Sequence, residues 1–215
     1  MSTTLVIANK NYSSWSLRPW LLLRHFGVAF DEVQLPLDTP EFHERIATLS
    51  PSRRVPALHD GGLVVWDSLA ICEYANERWL GGGGWPPDLA RRAVARSVAS
   101  EMHSGFPALR GQLPMNLRRQ PREPHWDEAA WRDIRRVQSI WGELRGQAGD
   151  GEFLFGGFGI ADAMFAPVCA RFRSYGVPLE PVAADYVAAV FALPAMREWL
   201  QAALAETARV DADEA

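Results

Sequence analysis

The sequence has few cysteines, no long apolar run and no strong charge bias, and each absence excludes a class of protein. Cys72 and Cys169 are the only cysteines, and both lie in apolar helical patterns. They are expected to be reduced core residues of a cytosolic protein rather than parts of a disulfide framework. No apolar run reaches the roughly 20 residues of a membrane-spanning helix, and no signal-peptide pattern is visible. We therefore expect a cytoplasmic protein with no membrane partner.

The charge balance is mildly acidic. The chain has 22 Lys and Arg against 26 Asp and Glu, a formal net charge of −4, and it has no basic cluster. Nucleic acid is therefore not an expected partner. Apolar residues make up 48% of the 215 residues, which is enough for one large domain or two small ones, each with its own core.

Residues 1–80 alternate between strand and helix patterns. Short apolar runs predict strands at 5–8, 30–35, 55–59 and 63–66. The last two are separated by Asp60-Gly61-Gly62, which is typical of a hairpin turn. Helices are predicted after the first strand, from Thr39-Pro40 onwards, and from about Leu69 to Trp79. This order predicts a small α/β domain.

A break in composition follows, and everything after it has helical spacing. The glycines at 81–84 and the prolines at 86–87 predict an interdomain linker over 81–88. Residues 89–215 predict an all-helical domain, in which Pro107 is expected to kink the first long helix. The run 160–175 is nearly all apolar and predicts a central buried helix. The polar, acidic tail over 206–215 is expected to fray.

Two adjacent serines stand where the first strand turns into the first helix. Ser13 and Ser14 follow the strand and precede an apolar helical run. The free N–H groups and the positive dipole end of a helix start stabilise anions, so a hydroxyl placed there could hold a thiolate. Taken alone, the pair is more simply explained as helix caps.

Two other features of the first domain point to the same ligand. A cis bond at Val55-Pro56 would turn the Val55 backbone outward to pair with an extended peptide. Asp67-Ser68 begins another helix, where the N–H groups and the Ser68 hydroxyl suit a carboxylate and Asp67 suits an ammonium. A thiol site, a backbone-pairing edge and an amino-acid clamp together describe a site for a small thiol peptide.

These motifs resemble those of the cytosolic glutathione S-transferases over nearly the whole chain. The run Ser13-Ser14-Trp15-Ser16-Leu17-Arg18 is most similar to the serine-type classes, zeta above all, although Trp15 stands where zeta proteins have cysteine. The resemblance implies a thioredoxin-like domain over 1–80, a linker over 81–88 and the all-α C-terminal domain over 89–215. It also implies a twofold homodimer.

The resemblance assigns the glutathione contacts. Val55 and Pro56 would pair with the cysteinyl backbone, Arg54 would contact the glycyl end, and Asp67 and Ser68 would hold the γ-glutamyl end. The motif places Ser13 in the catalytic position, with Ser14 as the close alternative and Tyr12 as a third candidate, because tyrosine-type classes use a tyrosine at this point.

Other residues are expected to line the electrophile side, although each could simply pack in the core. These are Tyr12, Trp15, Met102, His103 and Phe106. The zeta arginine proposed to hold a substrate carboxylate has no clean match, and Arg171 and Arg173 lie within about one turn of its place. Asp162 is expected to be structural, as a carboxylate at a helix start.

The resemblance implies a transferase that conjugates the glutathione thiolate to small hydrophobic electrophiles, without a metal or nucleotide. A zeta-like cis–trans isomerase such as maleylacetoacetate isomerase is the second expectation, and a non-catalytic binder of glutathione or another ligand is the third. The sequence does not identify the electrophile.

Overall fold

The first strand lies inside a four-stranded sheet, between the second and third strands in chain order, and the fourth strand lies beside the third. The computed structural model describes residues 3–121 and 125–214. The elements of the first domain are β1 (Thr3–Ala8), α1 (Ser14–His25), β2 (Asp31–Leu35), α2 (Pro40–Leu49), β3 (Ala57–Asp60), β4 (Leu63–Val65) and α3 (Ser68–Arg78). Strand β1 runs parallel to β2 and antiparallel to β3, and β4 continues the sheet antiparallel to β3.

Successive side chains of β1 point to opposite faces of the sheet, and each face packs against a hydrophobic cluster. Leu5 and Ile7 belong to the large core that α1 and α3 share with the second domain. Val6 and Ala8 point the other way and pack in a smaller cluster with Phe42 of α2. Because both faces are covered, every residue from Leu5 to Ala8 is buried, which explains the uninterrupted apolar run in the sequence.

The second domain is helical in all its longer elements. They are α4 (Leu89–Ser104), α5 (Pro107–Gln112), α6 (Glu128–Arg145), α7 (Ile160–Tyr175), α8 (Pro181–Ala192) and α9 (Pro194–Ala205), followed by a short 3₁₀ turn at Asp211–Asp213. Helix α7 is buried along almost its whole length, as its apolar run predicts. The α/β first domain and the all-α second domain are thereby confirmed. Among the described residues, no helix is both long and apolar enough to cross a bilayer.

Asp162 fixes the start of α7, as expected. Its carboxylate accepts the N–H of Gly159 at 2.9 Å, the N–H of Leu154 at 3.0 Å and the hydroxyl of Tyr186 at 3.1 Å. Burial raises the pKa of this carboxyl to about 6, although these donors act in the opposite direction. The side chain therefore ties the preceding loop and α8 to the central helix.

Two expectations about the second domain are wrong. Pro107 does not kink a continuous helix: α4 ends at Ser104, Phe106 is left-handed with φ of 61°, and α5 begins at Pro107. A proline has no N–H to continue the first helix, but it is well placed at the start of the next one. The described part of the tail, residues 206–214, is held by contacts instead of fraying. Val210 is buried, and the Glu206 carboxylate accepts the N–H groups of Lys10 and Asn11.

A buried lysine joins the two domains beside the sheet. Lys10 Nζ lies 2.7 Å from Glu32 Oε2 and contacts the rings of Trp20 and Trp199, with centroids at 4.9 and 5.4 Å. Trp20 also donates to Glu32 at 2.8 Å. Burial opposes ionisation of Glu32, but Lys10, Trp20 and the charge of Arg24 hold its pKa below the usual range.

The variant Lys10→Met should lose about 1–3 kcal/mol of unfolding free energy at neutral pH, because it leaves a half-buried carboxylate without its main partner. A carboxyl with a lowered folded pKa stabilises the protein above its unfolded pKa and loses that contribution as pH falls. The difference between wild type and variant should therefore shrink below about pH 4. Urea unfolding across pH measures it.

Arg45→Met is the matched control for this prediction. Arg45 pairs with Glu41 at 2.7 Å on the exposed face of α2, and such a surface pair contributes about 0.5 kcal/mol or less. Equal losses in the two variants would contradict a special role for Lys10.

The two cysteines are fully buried, and burial raises the pKa of both thiols. A thiol that is neither exposed nor ionised does not react with a disulfide reagent. We expect no rapid labelling of the native protein by Ellman's reagent and two equivalents after denaturation. Fast labelling of the native protein would show that one of the helices carrying Cys72 or Cys169 opens.

Candidate functional site

The two serines at the start of α1 have different surroundings. Ser13 is the N-cap: its hydroxyl accepts the N–H of Ser16 at 3.4 Å and donates to the Ser16 hydroxyl at 2.7 Å. Ser14 is the first helical residue, and its oxygen accepts a hydrogen bond from Arg171 Nη2 at 3.2 Å. The hydroxyl of Ser13 is thus used within its own helix turn, whereas that of Ser14 is polarised by a guanidinium from the other domain.

Three arginines from three different helices surround this helix start. Arg18 of α1 and Arg171 of α7 are almost fully buried, and Arg110 of α5 is partly buried. Burial, together with the charge of Arg110 on each, lowers the pKa of Arg18 to about 9 and that of Arg171 to about 10. Both groups therefore stay charged at neutral pH.

These three guanidinium groups have neutral partners. Arg171 donates to the Leu113 carbonyl, Arg110 donates to the Gly105 carbonyl at 2.9 Å, and Arg18 donates to the Ser68 hydroxyl at 3.4 Å. Within residues 3–121 and 125–214, no carboxylate forms an ion pair with any of the three. The charges repel one another, and an anion bound beside them would be stabilised.

A cavity of about 400 Å³ opens in front of Ser14. Its lining comes from both domains: Tyr12, Ser13, Ser14, Trp15, Leu37, Phe42, Arg53, Arg54, Val55, Arg110, Pro114, Met115, Arg171 and Asp213. One cavity is therefore lined by the start of α1, by the backbone edge at Val55 and by the cationic groups of the second domain.

A second cavity of about 360 Å³ adjoins the first and shares Trp15, Arg54 and Val55 with it. Its lining is Trp15, Ser52, Arg54, Val55, Pro56, Trp66, Asp67, Ser68 and His103. The Val55-Pro56 peptide bond is cis, as the motif implies. The three sequence features singled out in the first domain therefore meet along one pair of joined cavities.

Asp67 lines the second cavity where the two domains meet. One carboxylate oxygen caps α3 by accepting the N–H of Leu69 at 3.0 Å. The other lies 2.9 Å from His103 Nε2 on α4. The ring of His103 in turn meets Trp15 edge-on, with centroids 5.3 Å apart. His103 therefore bridges the two domains at the wall of the cavity.

Trp15 lines both cavities. Its ring lies 4.2 Å from the Arg18 guanidinium carbon and 5.0 Å from that of Arg110. These cation–π contacts hold an indole that is still 37% exposed. A bound molecule spanning both cavities would contact this ring.

Of the five residues predicted to line the electrophile side, three line the two cavities, namely Tyr12, Trp15 and His103. Met102 and Phe106 are buried in the large core and line neither cavity. Phe106 lies in the break between α4 and α5 and so does not continue the face of α4 that carries His103, whereas Met102 lies on the side of α4 that packs in the core. The Tyr12 ring lines the first cavity, but its hydroxyl bonds to Glu214 and Arg118 in the tail region. Burial and the Glu214 contact raise the pKa of that phenol.

Sequence reasoning missed Arg110, Met115 and Asp213 as cavity residues. Arg110 follows a proline break, and Asp213 belongs to a tail that has no periodic pattern, so no local signal marks them. Among the described residues, no group of three or more His, Cys, Asp and Glu side chains is arranged to hold a metal ion.

Two family models match the chain. One is described as the glutathione S-transferase N-terminal domain and matches residues 12–78. The other is described as the glutathione S-transferase C-terminal domain and matches residues 125–202. Both matched segments contribute residues to the site: the first contains Ser14 and Asp67, and the second contains Arg171.

Relatives and solved structures agree with these matches. A maleylacetoacetate isomerase from Rattus norvegicus is 28% identical over 174 residues, covering 78% of this chain and 77% of its own. A Burkholderia glutathione transferase homolog, solved with bound glutathione, has a TM-score of 0.72 and 24% identity, covering 94% of this chain and 97% of its own. A bacterial zeta-class maleyl pyruvate isomerase has a TM-score of 0.72 and 23% identity, covering 95% and 100%. The two structures establish a shared fold.

Proposed function

The chain belongs to the glutathione S-transferase family, and we propose on that basis that it is a glutathione transferase that conjugates small electrophiles. The observation that carries this proposal is the surroundings of Ser14. A hydroxyl hydrogen with no acceptor among the described residues, a helix N-terminus and the guanidinium groups of Arg110 and Arg171 converge in a cavity large enough for a thiol peptide and a second small molecule. Such a site suits an ionised sulfur.

Glutathione would lie across the two joined cavities. The backbone of Val55 would pair with the cysteinyl residue, which places the sulfur toward the start of α1. The helix start at Ser68 and the carboxylate of Asp67 would hold the γ-glutamyl end, and Arg54 lies where it would contact the glycyl carboxylate. These three groups line one continuous pair of cavities.

Ser14 rather than Ser13 is the hydroxyl that would donate to the sulfur. The oxygen of Ser14 already accepts a hydrogen bond from charged Arg171, which makes its own hydrogen a stronger donor. The hydroxyl of Ser13 already donates to Ser16. The motif alone favours Ser13, so this assignment rests on the geometry.

Lowering the pKa of the glutathione thiol requires only a modest free energy. A free thiol has a pKa of about 8.5, and each unit of lowering needs about 1.4 kcal/mol of preference for the thiolate. One charge-assisted hydrogen bond and a helix N-terminus together supply about 2 kcal/mol or more. The thiolate would then attack an electrophile bound between Trp15, Met115 and Arg110.

Replacing Ser14 by Ala should raise the pKa of the bound glutathione thiol by about one unit. The ultraviolet absorbance of the thiolate, followed against pH in the binary complex, measures this shift. At pH values below the wild-type thiol pKa, conjugation of 1-chloro-2,4-dinitrobenzene should slow by about tenfold, because less sulfur is ionised.

Ser13→Ala is the matched control, and Tyr12→Phe is a second one. Ser13→Ala should cost about 1 kcal/mol of stability through the lost cap and leave the thiol pKa nearly unchanged. Tyr12→Phe should also leave it unchanged, since Glu214 and Arg118 occupy that hydroxyl. A shift in Ser13→Ala with none in Ser14→Ala would reverse the assignment.

A glutathione-dependent cis–trans isomerase is the second candidate. Arg110 and Arg171 lie beside the reacting position without a carboxylate partner among the described residues, so they suit an anionic substrate such as a diketo acid. The relative named maleylacetoacetate isomerase supports this candidate. In that reaction glutathione would be returned unchanged.

Arg110→Gln separates the two candidates. If the substrate is anionic, the variant should raise KM for maleylacetone by about tenfold and change conjugation of a neutral electrophile little. Arg136→Gln is the control, because Arg136 pairs with Glu101 on the exposed surface. Turnover in neither assay, together with tight glutathione binding, would favour a non-catalytic binder.

The chain is also proposed to act as a cytoplasmic homodimer. The family supports this, and four large apolar side chains are exposed in the segments around β4 and α4, where a partner could cover them: Leu63, Trp66, Leu89 and Val94. Light scattering should give twice the mass of one chain, and a monomer at micromolar concentration would contradict the proposal.

A further inference from the structure

The tail after α9 is built into the rim of the first cavity. The Glu206 carboxylate accepts the backbone N–H of Lys10 at 2.7 Å and that of Asn11 at 3.0 Å, directly before the catalytic turn. Arg118 holds the next residues by donating to the carbonyls of Glu206 and Ala208. Val210 is buried. The path of the tail is therefore set by contacts with both domains.

A hydrogen bond to the backbone of Asp213 holds the end of the tail in place. Asn116 Nδ2 donates to the Asp213 carbonyl at 3.2 Å, and Asn116 is itself held by Asn11 at 3.0 Å. Glu214 turns toward Tyr12 and Arg118. In this arrangement Asp213 is one of the residues that line the first cavity.

Asp213 is the single acidic residue among the described residues that line this cavity. Within the described parts of the chain, its carboxylate has no ion pair. Burial raises the pKa of the Asp213 carboxyl. The charges of Asp38 and Glu214 act in the same direction, and the charge of Arg171 acts against them. It is a half-buried negative charge in a cavity whose other charged lining residues are Arg53, Arg54, Arg110 and Arg171.

We propose that Asp213 is a specificity-determining residue that reduces the affinity of the electrophile side for negatively charged groups. This inference rests on the proposed function. Asp213 lines the same cavity as Arg171 and offsets part of the positive field of that arginine, which the thiolate would also use. A second anion on the electrophile would meet like charge across the cavity, while a neutral electrophile would not.

Removing this charge without changing shape should therefore favour anionic ligands. We would compare two glutathione conjugates whose substituents have the same number of carbon atoms, S-butylglutathione and S-(3-carboxypropyl)glutathione, by calorimetry. The variant Asp213→Asn should bind the carboxypropyl conjugate about three- to tenfold more tightly and the butyl conjugate unchanged. Binding of product analogues requires no turnover, so the test does not depend on finding the natural electrophile.

Asp211→Asn is the matched control, since Asp211 is exposed on the same 3₁₀ turn and lines neither cavity. It makes the same change in net charge and should alter neither affinity. Equal tightening for both conjugates, no change for either, or the same effect in Asp211→Asn would overturn the role of Asp213. Failure of the wild-type protein to bind either conjugate would instead overturn the proposed function.

Discussion

The contact on which the site depends is the hydrogen bond from Arg171 to the Ser14 hydroxyl. It joins the central helix of the second domain to the first turn of α1, and it brings a buried positive charge to a helix N-terminus. The charge has carbonyl and hydroxyl partners but no carboxylate among the described residues. Neither domain alone would create this field, because the hydroxyl comes from one and the guanidinium from the other.

Aromatic rings contact several of the cations at the domain interface. A guanidinium that lacks a carboxylate partner can be stabilised by the face of an indole, and Arg18 and Arg110 both use Trp15 in this way. Lys10 uses Trp20 and Trp199 similarly, although Glu32 neutralises it. The two places differ in charge balance: Lys10 forms an ion pair with Glu32, whereas Arg171 has no ion pair among the described residues.

Local patterns predicted the parts of the site that lie next to helix starts and strand entries. Ser13-Ser14, Val55-Pro56 and Asp67-Ser68 are each recognisable within a few residues, and the structure brings all three to the joined cavities. Arg110 and Asp213 could not be found this way, because their places depend on a helix break and on tail contacts with Lys10 and Asn11. Phe106 does not continue the face of α4, since that helix ends before Pro107, and Met102 packs in the large core.

The most direct measurement is the thiol pKa of glutathione bound to wild type, Arg171→Lys and Arg171→Met. If the buried charge stabilises the thiolate, the wild-type value should lie below the free-thiol value of about 8.5, and Arg171→Met should raise it by about one unit. Arg171→Lys, which keeps the charge but not the planar geometry, should fall between them. The same pKa in all three complexes would contradict the proposal that this arginine holds the site in its anion-binding form.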